Sequence, residues 1–178
     1  MTEKHNKKRM IVIAMIVPAV TLILIVVTLG LLYVGDLIFG PGTPEEIIKH
    51  STGANVDGCD IIEYYDGQGG PHGDGTIIIV VDCSADPLDP SALEYWIALP
   101  LSENIKNSMW SIQGKVGTKY SGGVVRALTD GYYYFEDRYY EASDRHSDEM
   151  LTKRGSFNYT LAIYDKENET LYYFECDT

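Results

Sequence analysis

Phe157-Asn-Tyr-Thr-Leu-Ala-Ile-Tyr-Asp165 and Thr170-Leu-Tyr-Tyr-Phe-Glu-Cys-Asp177, separated by Lys166-Glu-Asn-Glu169, read as a β-hairpin. The four-residue loop sets Asp165 opposite Thr170. Ile163 then faces Tyr172, Leu161 faces Phe174 and Tyr159 faces Cys176. These residues share one face, while Asn158, Thr160 and Glu175 fall on the other. A slip of one residue would send every side chain to the wrong side, so the pattern fixes the pairing and turns Cys176 into the core.

Outward from the hairpin, Tyr132 to Arg138 is an aromatic strand, followed by a charged stretch from Glu141 to Arg154 with one helical turn. Cys59 to Tyr65 and Thr76 to Cys83 read as two further strands. The second is β-branched on both faces, as a central strand covered on both sides would be. Thr43-Pro-Glu-Glu46 is a helix start: Thr caps, Pro suits the first position, and two glutamates favour the positive end of the dipole. That helix is expected to run to Ser51 and stop at Gly53. Asp89-Pro90 is expected to open a second helix through about Trp96, and Ser102-Glu103 a third through about Ile112. Gln113 to Gly123 reads as a glycine-rich mobile loop. The expected fold is α+β: a largely antiparallel sheet of about five strands, with two or three helices on one face.

Met10 to Val34 is a 25-residue apolar run containing Pro18 and Tyr33, preceded by Lys4, Lys7, Lys8 and Arg9. As a helix it would be about 37 Å long, against a hydrocarbon core of roughly 30 Å. It is longer than the apolar stretch of a cleaved signal, and no small-residue cleavage site follows it. The expectation is an uncleaved single-pass signal anchor in the cell membrane. Residues 1–9 would form a cytoplasmic basic tail, 10–34 a transmembrane helix in the lipid bilayer, 35–42 a linker and 43–178 an extracytoplasmic α+β domain.

Residues 1–10 carry four basic groups and one acidic group, net +3; the remainder carries 10 basic and 25 acidic, net −15. An acidic exterior domain argues against nucleic acid as a partner. Cys59, Cys83 and Cys176 would all lie outside the membrane, where a disulfide is permitted, but an odd count leaves the pairing open. No C-x-x-C spacing marks a zinc site, and buried thiols acting as small apolar residues are the default.

Motifs that carry chemistry are sparse. Asp66-Gly-Gln-Gly-Gly-Pro-His-Gly-Asp-Gly75 is glycine-rich, but it lacks the lysine of a P-loop and leads into a strand. His72 and Asp74 lie two apart, on one side of an extended chain, and are candidates for an acid–base pair. With Asp66 they are candidate metal ligands. Asp137 joins His72 and Asp74 as a candidate catalytic carboxylate. The cluster of Asp137, Arg138, Asp144, Arg145, His146 and Asp148 reads otherwise as a solvated surface. No nucleophile elbow and no cofactor motif is present. Tyrosines crowd the last third, and Tyr132, Tyr134 and Tyr173 are candidates for an exposed aromatic binding strip; the alternative is that both sheet faces are filled with aromatics. Asn158-Tyr-Thr160 and Asn168-Glu-Thr170 match the N-glycosylation pattern, which carries meaning only in a eukaryotic source.

Gly70-Pro-His-Gly-Asp-Gly-Thr76, Leu99-Pro-Leu-Ser102, Gly131-Tyr-Tyr-Tyr-Phe-Glu-Asp-Arg138 and the terminal hairpin resemble a group of small bacterial membrane-anchored or secreted proteins of unknown function. The chain departs from the group at Tyr139-Tyr140, where a His would follow Arg138, and at Cys176, where Leu or Phe would stand. The resemblance implies a cell-envelope protein and no activity. The leading expectation is a tethered, non-catalytic domain that binds or modulates another envelope protein. A hydrolase using His72 and Asp74 is the alternative, and an immunity-like protein that binds a toxin is a third.

Overall fold

The computed structural model describes residues 21, 24–28, 30, 42–68, 75–109, 125–139 and 144–178. The chain divides into two units, Met1–Gly42 and Thr43–Thr178. In the first, Thr21, Leu24 to Thr28 and Gly30 are helical, and the Thr28 hydroxyl donates to the Leu24 carbonyl at 2.8 Å. Among the described residues no helix is long and apolar enough to cross a membrane. A span needs about 20 consecutive residues, and the helical positions described fall short of that. The expected single-pass transmembrane helix is corrected accordingly; most of residues 10–34 lie outside the described residues.

The second unit is built on a sheet. In chain order it comprises α1 (Pro44–Thr52), β1 (Asp60–Asp66), β2 (Gly75–Asp82), β3 (Trp96–Ala98), α2 (Glu103–Ser108), β4 (Gly131–Asp137), β5 (Asn158–Asp165) and β6 (Thr170–Asp177). Short 3₁₀ turns lie at Pro90–Ala92, Val125–Ala127 and Leu151–Lys153. The strand order is β1-β2-β6-β5-β4-β3, and every pairing is antiparallel. The hairpin forms in the register its side chains require: Asp165 faces Thr170, Leu161 faces Phe174 and Tyr159 faces Cys176. Asp165 shapes the turn, its carboxylate accepting from the Glu167 and Asn168 amides and from Asn168 Nδ2.

Both faces of this sheet are covered. Ile78, Val80, Phe135, Leu161 and Phe174 pack with Ile105 of α2 and with Met109 and Leu151. The alternate residues Ile77, Ile79, Ala162, Leu171 and Tyr173 pack with Ile48 of α1 and with Val56 and Cys83. β2, β5 and β6 are apolar on both sides, so one layer of helix could not have hidden them. The expected α+β domain is therefore corrected. Among the described residues the fold is mostly a six-stranded antiparallel sheet, and the two helices described in this unit, of nine and six residues, sit on opposite faces.

Local signals explain where each helix begins and ends. Thr43 and Glu46 form a reciprocal capping box, and Gly53, at φ 74°, ends α1 in the left-handed region that glycine enters at little cost. Ser102 caps α2, its hydroxyl accepting from the Ile105 amide at 3.2 Å. The helix expected from Asp89 to Trp96 is only the turn Pro90–Ala92. Tyr95 has a positive φ of 65°, and Trp96 leaves to pair with Tyr134 of β4. The loop expected at Gln113 to Gly123 lies outside the described residues.

Candidate functional site

β4 and β6 flank β5 and run in the same direction, and each carries the sequence Tyr-Tyr-Phe-Glu, at 133–136 and 172–175. The two copies are in register. Tyr134, Ala162 and Tyr173 form one row across the three strands, and Glu136, Thr160 and Glu175 form the next. Alternation along each strand places all six on the α1 face. Two Tyr–Glu pairs thus stand two strand spacings apart, about 10 Å, over the small residues Ala162 and Thr160.

Each tyrosine serves the glutamate two positions on. Tyr134 Oη donates to Glu136 Oε2 at 3.2 Å, and Tyr173 Oη donates to Glu175 Oε1. Burial pushes both phenols well above the usual tyrosine range, and the neighbouring glutamate charge adds to the effect. Both rings therefore remain protonated donors. Cations complete the acceptors. Arg145 Nη1 lies 3.2 Å from Glu136, while Arg138 bridges Glu175 at 3.6 Å and Asp177 at 3.0 Å. Gln68 Nε2 donates to Asp177 Oδ2 at 2.8 Å. This end of the sheet is thus cross-tied from the residue after β4 to the residues after β1.

On the opposite face, Asp137 is fully buried and held by both terminal nitrogens of Arg154, at 2.7 and 2.6 Å. The Arg154 guanidinium also lies over the Tyr139 ring, 4.5 Å from its centroid. His146 stacks on Tyr95 with ring centroids 3.7 Å apart and meets Tyr134 edge-on. Its Nδ1 is 2.9 Å from the Phe135 carbonyl, which only accepts, so Nδ1 carries a proton. Asp148 accepts from Ser102 Oγ and Asn104 Nδ2, pinning the start of α2.

The candidates from sequence are scattered by this geometry. His72 and Asp74 lie outside the described residues. Asp66 is exposed at the end of β1, its carboxylate accepting from the Gln68 amide at 2.9 Å. Among the described residues no group of three or more His, Cys, Asp or Glu could hold a metal ion. Asp137 is engaged by Arg154 and faces away from the Tyr–Glu rows. Tyr134 and Tyr173 are buried and Tyr132 is half-buried, so these three do not form an exposed strip; the aromatics fill both sheet faces. Of the charged cluster expected to be solvated, Asp137 is buried, Arg138 is half-buried and His146 is stacked between aromatic rings. Glu136, Glu175, Arg154, Asp177 and Gln68 were not singled out from sequence. The duplicated Tyr-Tyr-Phe-Glu was the signal that could have found the two glutamates.

Two further features lie at the β1 side of the sheet. The Cys59–Cys83 disulfide closes the pair β1–β2 at its open end, joining the residue before β1 to the residue after β2; Cys176 is buried and takes no part in it. β1 itself is the outer strand beyond β2. There Ile62, Tyr64 and Tyr65 are 46%, 48% and 38% exposed. Compared with known proteins, the chain matches no family model, no curated protein and no solved structure.

Proposed function

We propose that the unit Thr43–Thr178 acts outside the cytoplasm as a non-catalytic protein that binds or modulates another component of the cell envelope. The observation that carries this reading is the exposed apolar edge. Ile62, Tyr64 and Tyr65 stand in water on an outer strand, while both faces of the sheet behind them are packed. Large apolar side chains left uncovered in this way mark interaction surfaces. The disulfide supports an oxidising compartment. The charged groups at the sheet end support a structural rather than a reactive role, because Asp137 and Glu175 are already engaged by Arg154, Arg138 and Tyr173.

The test is cross-linking of the full-length protein in its own cell envelope, followed by identification of what it joins. The reading expects one recurrent protein partner, lost when Tyr64 and Tyr65 are changed to serine. Turnover of a hydrolysable ester, amide or phosphoester substrate that disappears in a His72→Ala variant would overturn it.

A further inference from the structure

Residues 50–105, which supply β1, β2 and β3, contain ten carboxylates and not one Lys or Arg. Three of those carboxylates, Asp60, Glu63 and Asp66, sit on β1 at its two ends and near its middle. β1 is one of the two outer strands, the other being β3, so among the described residues no strand pairs with its outward backbone N–H and C=O groups. Such an edge is a template for another strand.

We infer that β1 receives an extended, cationic segment of a partner protein by strand addition, so that the segment becomes a seventh strand. This rests on the binding reading above and deepens it. Tyr64 pairs with Ile79 and Tyr65 with Ile78, so the two rings flank the edge on opposite faces. An incoming strand would lay one side chain beside each ring, which favours β-branched or aliphatic residues there. Its Lys or Arg residues would meet Asp60, Glu63 and Asp66, since opposite charges on neighbouring strands attract and like charges repel.

The same carboxylates argue against a second copy of this chain as the occupant. In a centred antiparallel β1–β1 pairing, Glu63 would face Glu63 and Asp60 would face Asp66. The edge is guarded against itself and open to the opposite charge.

The probe is a seven-residue peptide, Lys-Val-Val-Lys-Val-Val-Lys, which sets a lysine against each of Asp60, Glu63 and Asp66 and a valine against each tyrosine, added to the full-length protein. Affinity is read by fluorescence anisotropy, and the site by amide hydrogen exchange. Binding with slowed exchange across 60–66 is expected. Methylating alternate backbone amides of the peptide should weaken it by about tenfold or more, because the ladder bonds are lost. A glutamate–valine peptide should not bind. The Glu63→Lys variant should bind the lysine peptide roughly tenfold more weakly with an unchanged melting temperature, which separates charge recognition from loss of fold. Equal binding of the methylated peptide, or protection confined to residues away from β1, would overturn strand addition. An envelope partner cross-linked only through residues distant from β1 would also overturn it, while leaving the binding reading intact. A peptide seated on β1 with no partner captured from the envelope would overturn the binding reading instead.

Discussion

Asp137 and Arg154 show what a single residue does in this molecule. Asp137 ends β4 with its carboxylate fully buried, and the two guanidinium bonds are what make an ionised group tolerable there. Removing the cation leaves a buried charge without compensation, so Arg154→Ala should cost about 3–5 kcal/mol, read from the shift in a chemical denaturation midpoint. Tyr134 and Tyr173 make a second residue-scale statement, this time about pH. Their folded values lie above the ordinary tyrosine value of 10.0. Above that pH the unfolded chain releases phenolic protons that the folded chain retains. The stability they contribute is therefore fully present below pH 10 and falls as pH rises toward the folded values. Phenolate absorbance during an alkaline titration should show a late phase, from Tyr134 and Tyr173, coincident with unfolding. Simultaneous titration of all 14 tyrosines near pH 10 would contradict this. These residue roles were hardly readable from sequence. Asp137 was visible as a carboxylate in a charged stretch, but its partner lies 17 positions on and arrives only through the fold.

At the scale of elements, most of the reading from sequence survives. The terminal hairpin has the expected register because alternating apolar residues admit only one pairing, and the capping box at Thr43 begins α1 where the residues said it would. The stretch after Asp89 was misread for an equally physical reason. Asp-Pro is a sound helix start, but it yields one turn here, because Trp96 gains more by pairing with Tyr134 and donating its indole N–H to the Thr52 carbonyl at 3.0 Å. Propensity is a weak prior when tertiary contacts compete. Gly131 opens β4 with φ 133°, and a Cβ there would stand 1.9 Å from the Tyr164 carbonyl oxygen. Gly131→Ala combines a disfavoured backbone with a clash against a rigid strand. It should destabilise by about 2 kcal/mol or more, measured by thermal melting, with the greatest loss of exchange protection in the β4–β5 ladder.

For the whole molecule, the sequence showed that three cysteines allow a disulfide but not which pair forms it; only the antiparallel β1–β2 pairing brings residues 59 and 83 together. With the two cysteines separated by 24 positions in sequence, the cross-link should stabilise by roughly 2–4 kcal/mol, chiefly by restricting the unfolded chain. A Cys59→Ser, Cys83→Ser double variant compared with the parent by denaturant titration checks this, and reductant should have no effect on the double variant. The number of layers was the main whole-molecule error. β2 was correctly read as covered on both sides, but the hairpin was assigned one apolar face. The face bearing Thr160 and Glu175 is buried as well, by Tyr173, Tyr164 and the Tyr–Glu pairs. Polar letters on a strand mark a solvated face only if nothing in the rest of the chain can neutralise them.

β6 is the last of the six strands to be synthesised, yet it stands third across the sheet, between β2 and β5. Until Thr170 and the residues after it are made, the strands present can pair at most as two separate ribbons, β1–β2 and β3–β4–β5, each with an unpaired inner margin. Joining them requires β6 to pair with β2 across 88 to 102 positions of sequence, a long-range closure that slows folding. The nascent protein therefore stays open and adhesive until its final hairpin emerges, and a proteolytic clip before Thr170 would split the sheet in two rather than shorten it.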